Sequence, residues 1–253
     1  MHEFRPIALS IAGFDPSGGA GVLADVKTFE QHRVYGLSII TANTCQTEDE
    51  FFAMQWIDIS FVEQSIIELS KAYSIKALKI GIVPSLSYLL AVLSTVRKHI
   101  PDAFIVLDTV LQSSTGFTFI EFQENETLLA NALSMLDLIT PNYKEIFMLG
   151  KKGSEAQEIA ESISANYCAV LLKGGHNADA IGTDYLFAKN EMTEIIPHAN
   201  DASPKHGSGC VLSAAITANI ALGKSLADAC VEAKKYIEQF LKSNPTLSGY
   251  HVQ

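Results

Sequence analysis

Basic side chains are scarce in this chain: its 253 residues carry 18 Lys and Arg against 28 Asp and Glu, a formal net charge of −10. A nucleic-acid or anionic-membrane surface needs a basic patch, so the balance argues against both partners. It leaves room for an anionic substrate held by a few local cations, backbone amides or Mg²⁺. Cysteine is sparse as well. Cys45, Cys168, Cys210 and Cys230 form no C-x-x-C pair, so neither a zinc knuckle nor a redox pair is suggested. Cys45 and Cys168 lie in apolar runs and are read as core packing. Residues 1–12 lack the layout of a signal peptide. The most apolar helix, around 211–222, is broken by Ser213, Thr217 and Asn219 and is too short to span a bilayer. A reduced, cytoplasmic setting is therefore expected. Internal repeats, low-complexity stretches and a dividing linker are also missing. One domain over residues 1–253 is expected, long enough to bury a core without disulfide or metal.

What is present is an alternation of apolar runs and glycine-bearing turns. Pro6–Ala12 reads as a buried strand, and Gly13-Phe14-Asp15-Pro16-Ser17-Gly18-Gly19-Ala20-Gly21 as a turn-rich loop. Val22, Leu23, Val26 and Phe29 follow at helical spacing, and Val34–Thr44 returns as a strand. Strand, loop, helix, strand is a βαβ unit and implies a parallel sheet. Further along, the patterning predicts helices over about 61–73, 85–100, 128–136, 154–165 and 226–242. Strands are predicted at 77–81, 104–107, 138–140 and 168–172, with an edge hairpin at 185–187 and 192–196. Residues 112–127 are polar and irregular, and read as a loop with a short helix, of a composition that allows a mobile flap.

Candidate chemistry gathers where these strands end. His206-Gly207-Ser208-Gly209-Cys210 leads into the apolar helix. Two glycines allow positive φ and close approach to a ligand. The first-turn amides lack intrahelical partners and face the positive end of the dipole, which makes an anion site. Cys210 stands on that first turn, where a helix N-terminus can lower a thiol pKa. Asp108 closes a parallel strand at the edge where open α/β sheets bind ligands. Lys173, beside Gly174 and Gly175, can reach a phosphate without obstruction. Asn142 and Glu145 are spaced as an N-cap and its N3 partner, so capping alone could explain both.

Two nucleotide motifs fail on inspection. Gly19-x-Gly21-x-x-Ala24 fits the dinucleotide fingerprint, but Gly13 to Gly18 separate it from the strand, and no acidic residue closes the next strand. Gly223-Lys224-Ser225 lacks the earlier glycine of a P-loop, since residue 218 is Ala, and it falls at a helix end.

The segments 12–21, Ala24-Asp25-Val26-Lys27-Thr28-Phe29, Val34-Tyr35-Gly36 and Thr41 to Thr47 with Gln46 open a series. Lys79-Ile80-Gly81, Val106-Leu107-Asp108, Ile139-Thr140-Pro141-Asn142 with Glu145, Lys173-Gly174-Gly175-His176 and 206–215 complete it. In this order the chain resembles the ribokinase-like superfamily, and within it the hydroxymethylpyrimidine/phosphomethylpyrimidine kinases of thiamine biosynthesis. The resemblance implies a three-layer α/β/α sandwich around a mostly parallel sheet. It implies an ATP-dependent kinase acting on the hydroxymethyl group of a small aromatic heterocycle, with Mg²⁺, and a homodimer.

In that reading the amides of Gly207, Ser208, Gly209 and Cys210 hold the transferring phosphoryl, and Cys210 takes the hydroxymethyl proton. Lys173, Asn142, Gly175 and Asp108 meet ATP. Asp108 and Glu145 hold Mg²⁺ through waters. Gln46 reads the nitrogen and amino edge of the ring. Gly13, Asp15, Ala20, Ile82 and Val110 complete the ring pocket. After Asp108 the chain departs from the family, running Thr109-Val110-Leu111-Gln112-Ser113-Ser114-Thr115-Gly116 without a lysine, so the flap chemistry and a second phosphorylation can differ. A vitamin B6 kinase on the same scaffold is the alternative activity, and a vitamin-binding protein without turnover the alternative class.

Overall fold

The computed structural model describes residues 5–110, 125–150, 153–176, 180–198 and 203–251. Most of the expected loop at 112–127, and the divergent stretch beyond Val110, lie outside the described residues. The elements in order are β1 (Ile7–Phe14), α1 (Gly21–Gln31), β2 (Tyr35–Gln46), β3 (Phe51–Trp56), α2 (Ile59–Ala72) and β4 (Ile75–Ile80). Then come α3 (Leu86–His99), β5 (Phe104–Leu107), α4 (Glu126–Ser134), β6 (Leu138–Ile139), α5 (Ile146–Leu149) and α6 (Ala156–Asn166). The last are β7 (Ala169–Leu172), β8 (Asp184–Ala188), β9 (Glu191–Ile195), α7 (Ser208–Ala221) and α8 (Leu226–Lys242).

All nine strands form one sheet, in the order β3-β2-β1-β4-β5-β6-β7-β8-β9. β2, β1, β4, β5, β6 and β7 pair in parallel. β3 joins one edge, and the β8–β9 hairpin the other, antiparallel. The sequence pattern missed β3, whose apolar and polar residues lie on a half-exposed edge.

Strand parity builds the layers, because successive side chains point to opposite faces. Leu9, Ile11, Leu78, Ile80, Ile105, Leu107, Ile139, Val170 and Leu172 pack with α2 through α6. The residues between them, Ala8, Ala77, Val106, Leu138 and Leu171, pack with α1, α7 and α8. α7 is buried on nearly every side, as expected of a helix apolar all round. The three-layer α/β/α expectation is met. Cys168 is buried, but Cys45 is exposed on β2, so its reading as core is corrected: β2 reaches the margin of the sheet and turns that side chain outward.

β1 has β2 on one side and β4 on the other. The chain therefore reverses its direction of winding there, and such a switch point leaves a crevice at the carboxyl ends of the strands.

Candidate active site

A cavity of about 650 Å³ occupies that crevice. Every residue singled out from the sequence lines it, from Gly13 and Gln46 at one end to Asn142, Glu145, Lys173 and Gly175 at the other. The two ends have different chemistry.

At the β1–β2 end the walls are mostly apolar. A Cβ on Gly13 would stand 2.6 Å from Ile82 Cδ1, so the missing side chain lets Ile82 close over the strand end. Ala20 and Val110 line the same space. The Gln46 amide has no hydrogen-bond partner among the described residues, which leaves a donor and an acceptor side by side for a ligand.

Asp15, expected to touch substrate, lines the cavity and is held by donors of this chain. Its buried carboxylate accepts from the Ser17 amide (2.9 Å), the Ser17 hydroxyl (2.8 Å), the Ala20 amide (2.8 Å) and His206 Nε2 (2.9 Å). Burial works to raise its pKa, yet the hydrogen bonds from His206 and Ser17 hold it below the ordinary 3.8. Asp15 thereby organises the loop.

At the phosphate end, Gly207 takes φ +71° as the N-cap of α7. A Cβ there would lie 1.9 Å from the Gly19 carbonyl oxygen, so only glycine fits. α7 starts at Ser208, earlier than the apolar run alone suggested, because the glycines are themselves in its first turn. The amides of Gly209 and Cys210 have no acceptor among the described residues, while that of Ser208 reaches the Lys205 carbonyl at 3.4 Å. A Cβ on Gly209 would stand 3.5 Å from Lys173 Nζ, which places the ammonium at the rim of the amide cradle.

Beneath the cradle runs a chain of alternating charges that the sequence reading did not assemble. Asp25 Oδ1 meets Lys79 Nζ at 2.6 Å, and Lys79 Nζ lies 3.6 Å from Asp108 Oδ2. Lys173 Nζ lies 3.3 Å from Asp108 Oδ1 and 3.8 Å from Glu145 Oε2. Lys79 is fully buried and also donates to the Cys210 carbonyl at 3.4 Å. Burial opposes its charge, but Asp25, Cys210 and Asp108 outweigh burial and raise its pKa. The signal was available in sequence: a lysine inside the apolar strand Ala77–Gly81, and an aspartate between Val22 and Phe29 on the buried side of α1. Ser10 pairs with Lys79 in register and donates to Asp25 Oδ2 at 2.6 Å.

Asp108 accepts from Lys173 and Thr140 on one oxygen, and on the other from Ser213, with Lys79 alongside. Burial opposes its charge, and Lys173 with Lys79 nevertheless holds its pKa low. Both of its oxygens are thus met by donors of this chain, Lys173 among them. Asn142 and Glu145 do cap each other: Asn142 Oδ1 accepts from the Lys144 and Glu145 amides, and Glu145 Oε2 from the Asn142 amide. Glu145 also accepts from Thr109 at 3.2 Å, and burial raises its pKa despite Lys173. Among the described residues no three His, Cys, Asp or Glu side chains are grouped to hold a metal. Asp108 and Glu145 suit the water shell of a phosphate-bound Mg²⁺, which gives up its waters reluctantly, and not a protein-only cage.

At Cys210 burial outweighs the helix N-terminus. Burial pushes its thiol up to about 11, despite the Lys79 charge and the Gly21 amide donating to its sulfur. The helix N-terminus does not leave it a thiolate at rest.

A family model described as phosphomethylpyrimidine kinase matches residues 15–253. The hydroxymethylpyrimidine/phosphomethylpyrimidine kinase of Aquifex aeolicus is 33% identical over 97% of this chain and 98% of that protein. Its namesake from Salmonella typhimurium is 34% identical over 95% and 92%. The crystal structure of a phosphomethylpyrimidine kinase from Clostridium difficile superposes with a TM-score of 0.77 at 31% identity, covering 92% of this chain and 98% of that one. A pyridoxal kinase from Bacillus subtilis, solved with ADP, gives 0.81 at 26%, covering 94% and 92%. On this match over nearly its whole length, and with the motif residues gathered around one cavity, the chain belongs to the phosphomethylpyrimidine kinase family.

Proposed function

We propose that this chain transfers the γ-phosphoryl group of ATP to the hydroxymethyl group of 4-amino-5-hydroxymethyl-2-methylpyrimidine, and then to the resulting monophosphate, in thiamine biosynthesis. The observation that carries the reading is one cavity with two ends: an apolar slot with a Gln46 amide unpartnered among the described residues, and an amide cradle flanked by Lys173.

Gln46 presents its amide to the ring nitrogen and amino group, and Gly13, Ala20, Ile82 and Val110 hold the ring faces. Lys173 pairs with ATP phosphates, with Asn142 and Gly175 on the same side. The amides of Gly207, Gly209 and Cys210 receive the charge of the transferring group, with Ser208 in the same turn. Charge balance supports Mg²⁺: once Lys173 turns to the phosphates, Asp25, Asp108 and Glu145 face Lys79 alone. When bound, the ion neutralises phosphate oxygens, and Asp108 and Glu145 orient its waters.

The hydroxymethyl oxygen attacks the γ-phosphorus in line, the bond to the bridging oxygen breaks, and ADP leaves. The proton passes to Cys210 sulfur as thiolate. The transition state is loose, so this proton is needed late and a small thiolate fraction suffices. The protein works as one domain over residues 1–253, as a homodimer, in the cytoplasm.

The test compares kcat/KM for the pyrimidine and for pyridoxal in wild type and Gln46→Leu. The pyrimidine is expected to be preferred, and Gln46→Leu to raise its KM by about tenfold or more, as loss of hydrogen bonds to a neutral group predicts. Likeness to a pyridoxal kinase supports the second reading, a B6-vitamer kinase. A preference for pyridoxal that Gln46→Leu leaves intact establishes it instead.

A further inference from the structure

Two loops build the site, 15–21 before α1 and 205–210 before α7, and each ends in a helix N-terminus. They meet where neither has a side chain to spare. A Cβ on Gly207 would strike the Gly19 carbonyl, and one on Gly19 would stand 2.6 Å from His206 Cδ2. Gly21, at φ +59°, opens α1 with its backbone against the Gly13 carbonyl.

His206 ties the two loops together. Its Nε2 lies 2.9 Å from Asp15 Oδ2, both side chains being buried. A carboxylate only accepts, so the proton sits on Nε2. Asp15 in turn collects the Ser17 and Ala20 amides of the first loop. On the other side, the His206 amide donates to the Leu247 carbonyl at 2.9 Å, and Lys205 Nζ to the carbonyls of Asn244 and Thr246. The segment after α8 therefore fixes His206 from behind.

We propose that His206 is a positioning residue for phosphoryl transfer: by gripping Asp15 it fixes the 205–210 loop against the 15–21 loop, and so holds Cys210, four residues on, beside the reacting hydroxyl. This rests on the reading of Cys210 given above. Glycine packing alone would bring the loops into contact but would not fix their relative slide, whereas a hydrogen bond between two buried groups fixes it to a few tenths of an ångström.

The test measures kcat and KM for the pyrimidine at saturating ATP in His206→Leu, His206→Gln, Cys210→Ala and the His206→Leu/Cys210→Ala double variant. His206→Leu is expected to lower kcat about 100-fold, the scale of a small misplacement of a reacting group, with KM changed less than about threefold. His206→Gln, which can still donate to Asp15, recovers most of that loss. Because His206 acts through Cys210, adding His206→Leu to Cys210→Ala lowers kcat by less than about threefold. If the leucine variant does not fold, Asp15→Asn takes its place with the same expectations. The proposal is overturned if His206→Leu leaves kcat within threefold of wild type, if glutamine is as damaging as leucine, or if the loss persists in the Cys210→Ala background. An unchanged kcat in Cys210→Ala alone would instead remove the role given to the cysteine, and this proposal with it.

Discussion

Cys210 is asked to accept a proton from a buried position that disfavours its charge. Removal from water pushes its pKa up to about 11, against the pull of the Lys79 ammonium. At neutral pH the thiolate is then about one part in 10⁴. kcat should therefore climb with pH between 6 and 9, tracking the thiolate, while KM for the ring stays flat. A flat kcat over that range would rule out the thiolate as the base. Cys210→Ala should lower kcat by ~10²–10⁴-fold, the usual scale of general-base assistance. Residue identity was legible for Gln46, Lys173 and Cys210, which all line the cavity. The donors of this chain that meet Asp15 and Asp108 were not legible. An Asp in a loop or at a strand end reads the same either way, because its partners come from segments far off in sequence.

The elements that matter most are the two glycine loops and the helices they open. Gly207→Ala should destabilise the protein by at least about 1–3 kcal/mol from the left-handed backbone alone. The clash with the Gly19 carbonyl adds to this and moves the cradle. Thermal unfolding and the KM for ATP would both report it, and an unchanged Tm would contradict the packing described. The segment after α8 predicts a pH effect. His251 lies against Phe240 and Tyr236 with the rings tilted, and burial, with Lys27 and His32 nearby, lowers its pKa to about 4. The unfolded chain, at an ordinary 6.5, takes up the proton first. Stability from this group is full above pH 6.5 and is lost as pH falls toward 4. Tm should fall between pH 7.5 and 5.5, and His251→Gln should flatten that fall. The βαβ opening, the edge hairpin and the helices could be read from periodicity. β3 could not, because an edge strand with half its residues in water has no strong alternation to betray it.

At the scale of the whole molecule, the sheet sorts its residues by parity, and parity carries Lys79 and Asp108 to the α7 side of the sheet, beneath the cradle. Pairing across β4, α1 and β5 is a tertiary fact, so the sequence held the lysine and both aspartates without showing that they meet. Lys79→Met should destabilise by about 3–5 kcal/mol, since it leaves buried carboxylates without their cation. The Lys79→Met/Asp25→Asn pair should recover part of that loss in urea unfolding, and additive effects would contradict the ion pair. The central claim is that one cavity joins a ring slot to a phosphoryl cradle and carries a phosphoryl group between them. ³¹P NMR of the protein with Mg²⁺–ATP and 4-amino-5-hydroxymethyl-2-methylpyrimidine tests it directly. The account predicts that the γ-phosphate signal is replaced, mole for mole, by ADP and a phosphate monoester of the pyrimidine. Folded protein that leaves ATP intact, or releases only inorganic phosphate, would contradict it.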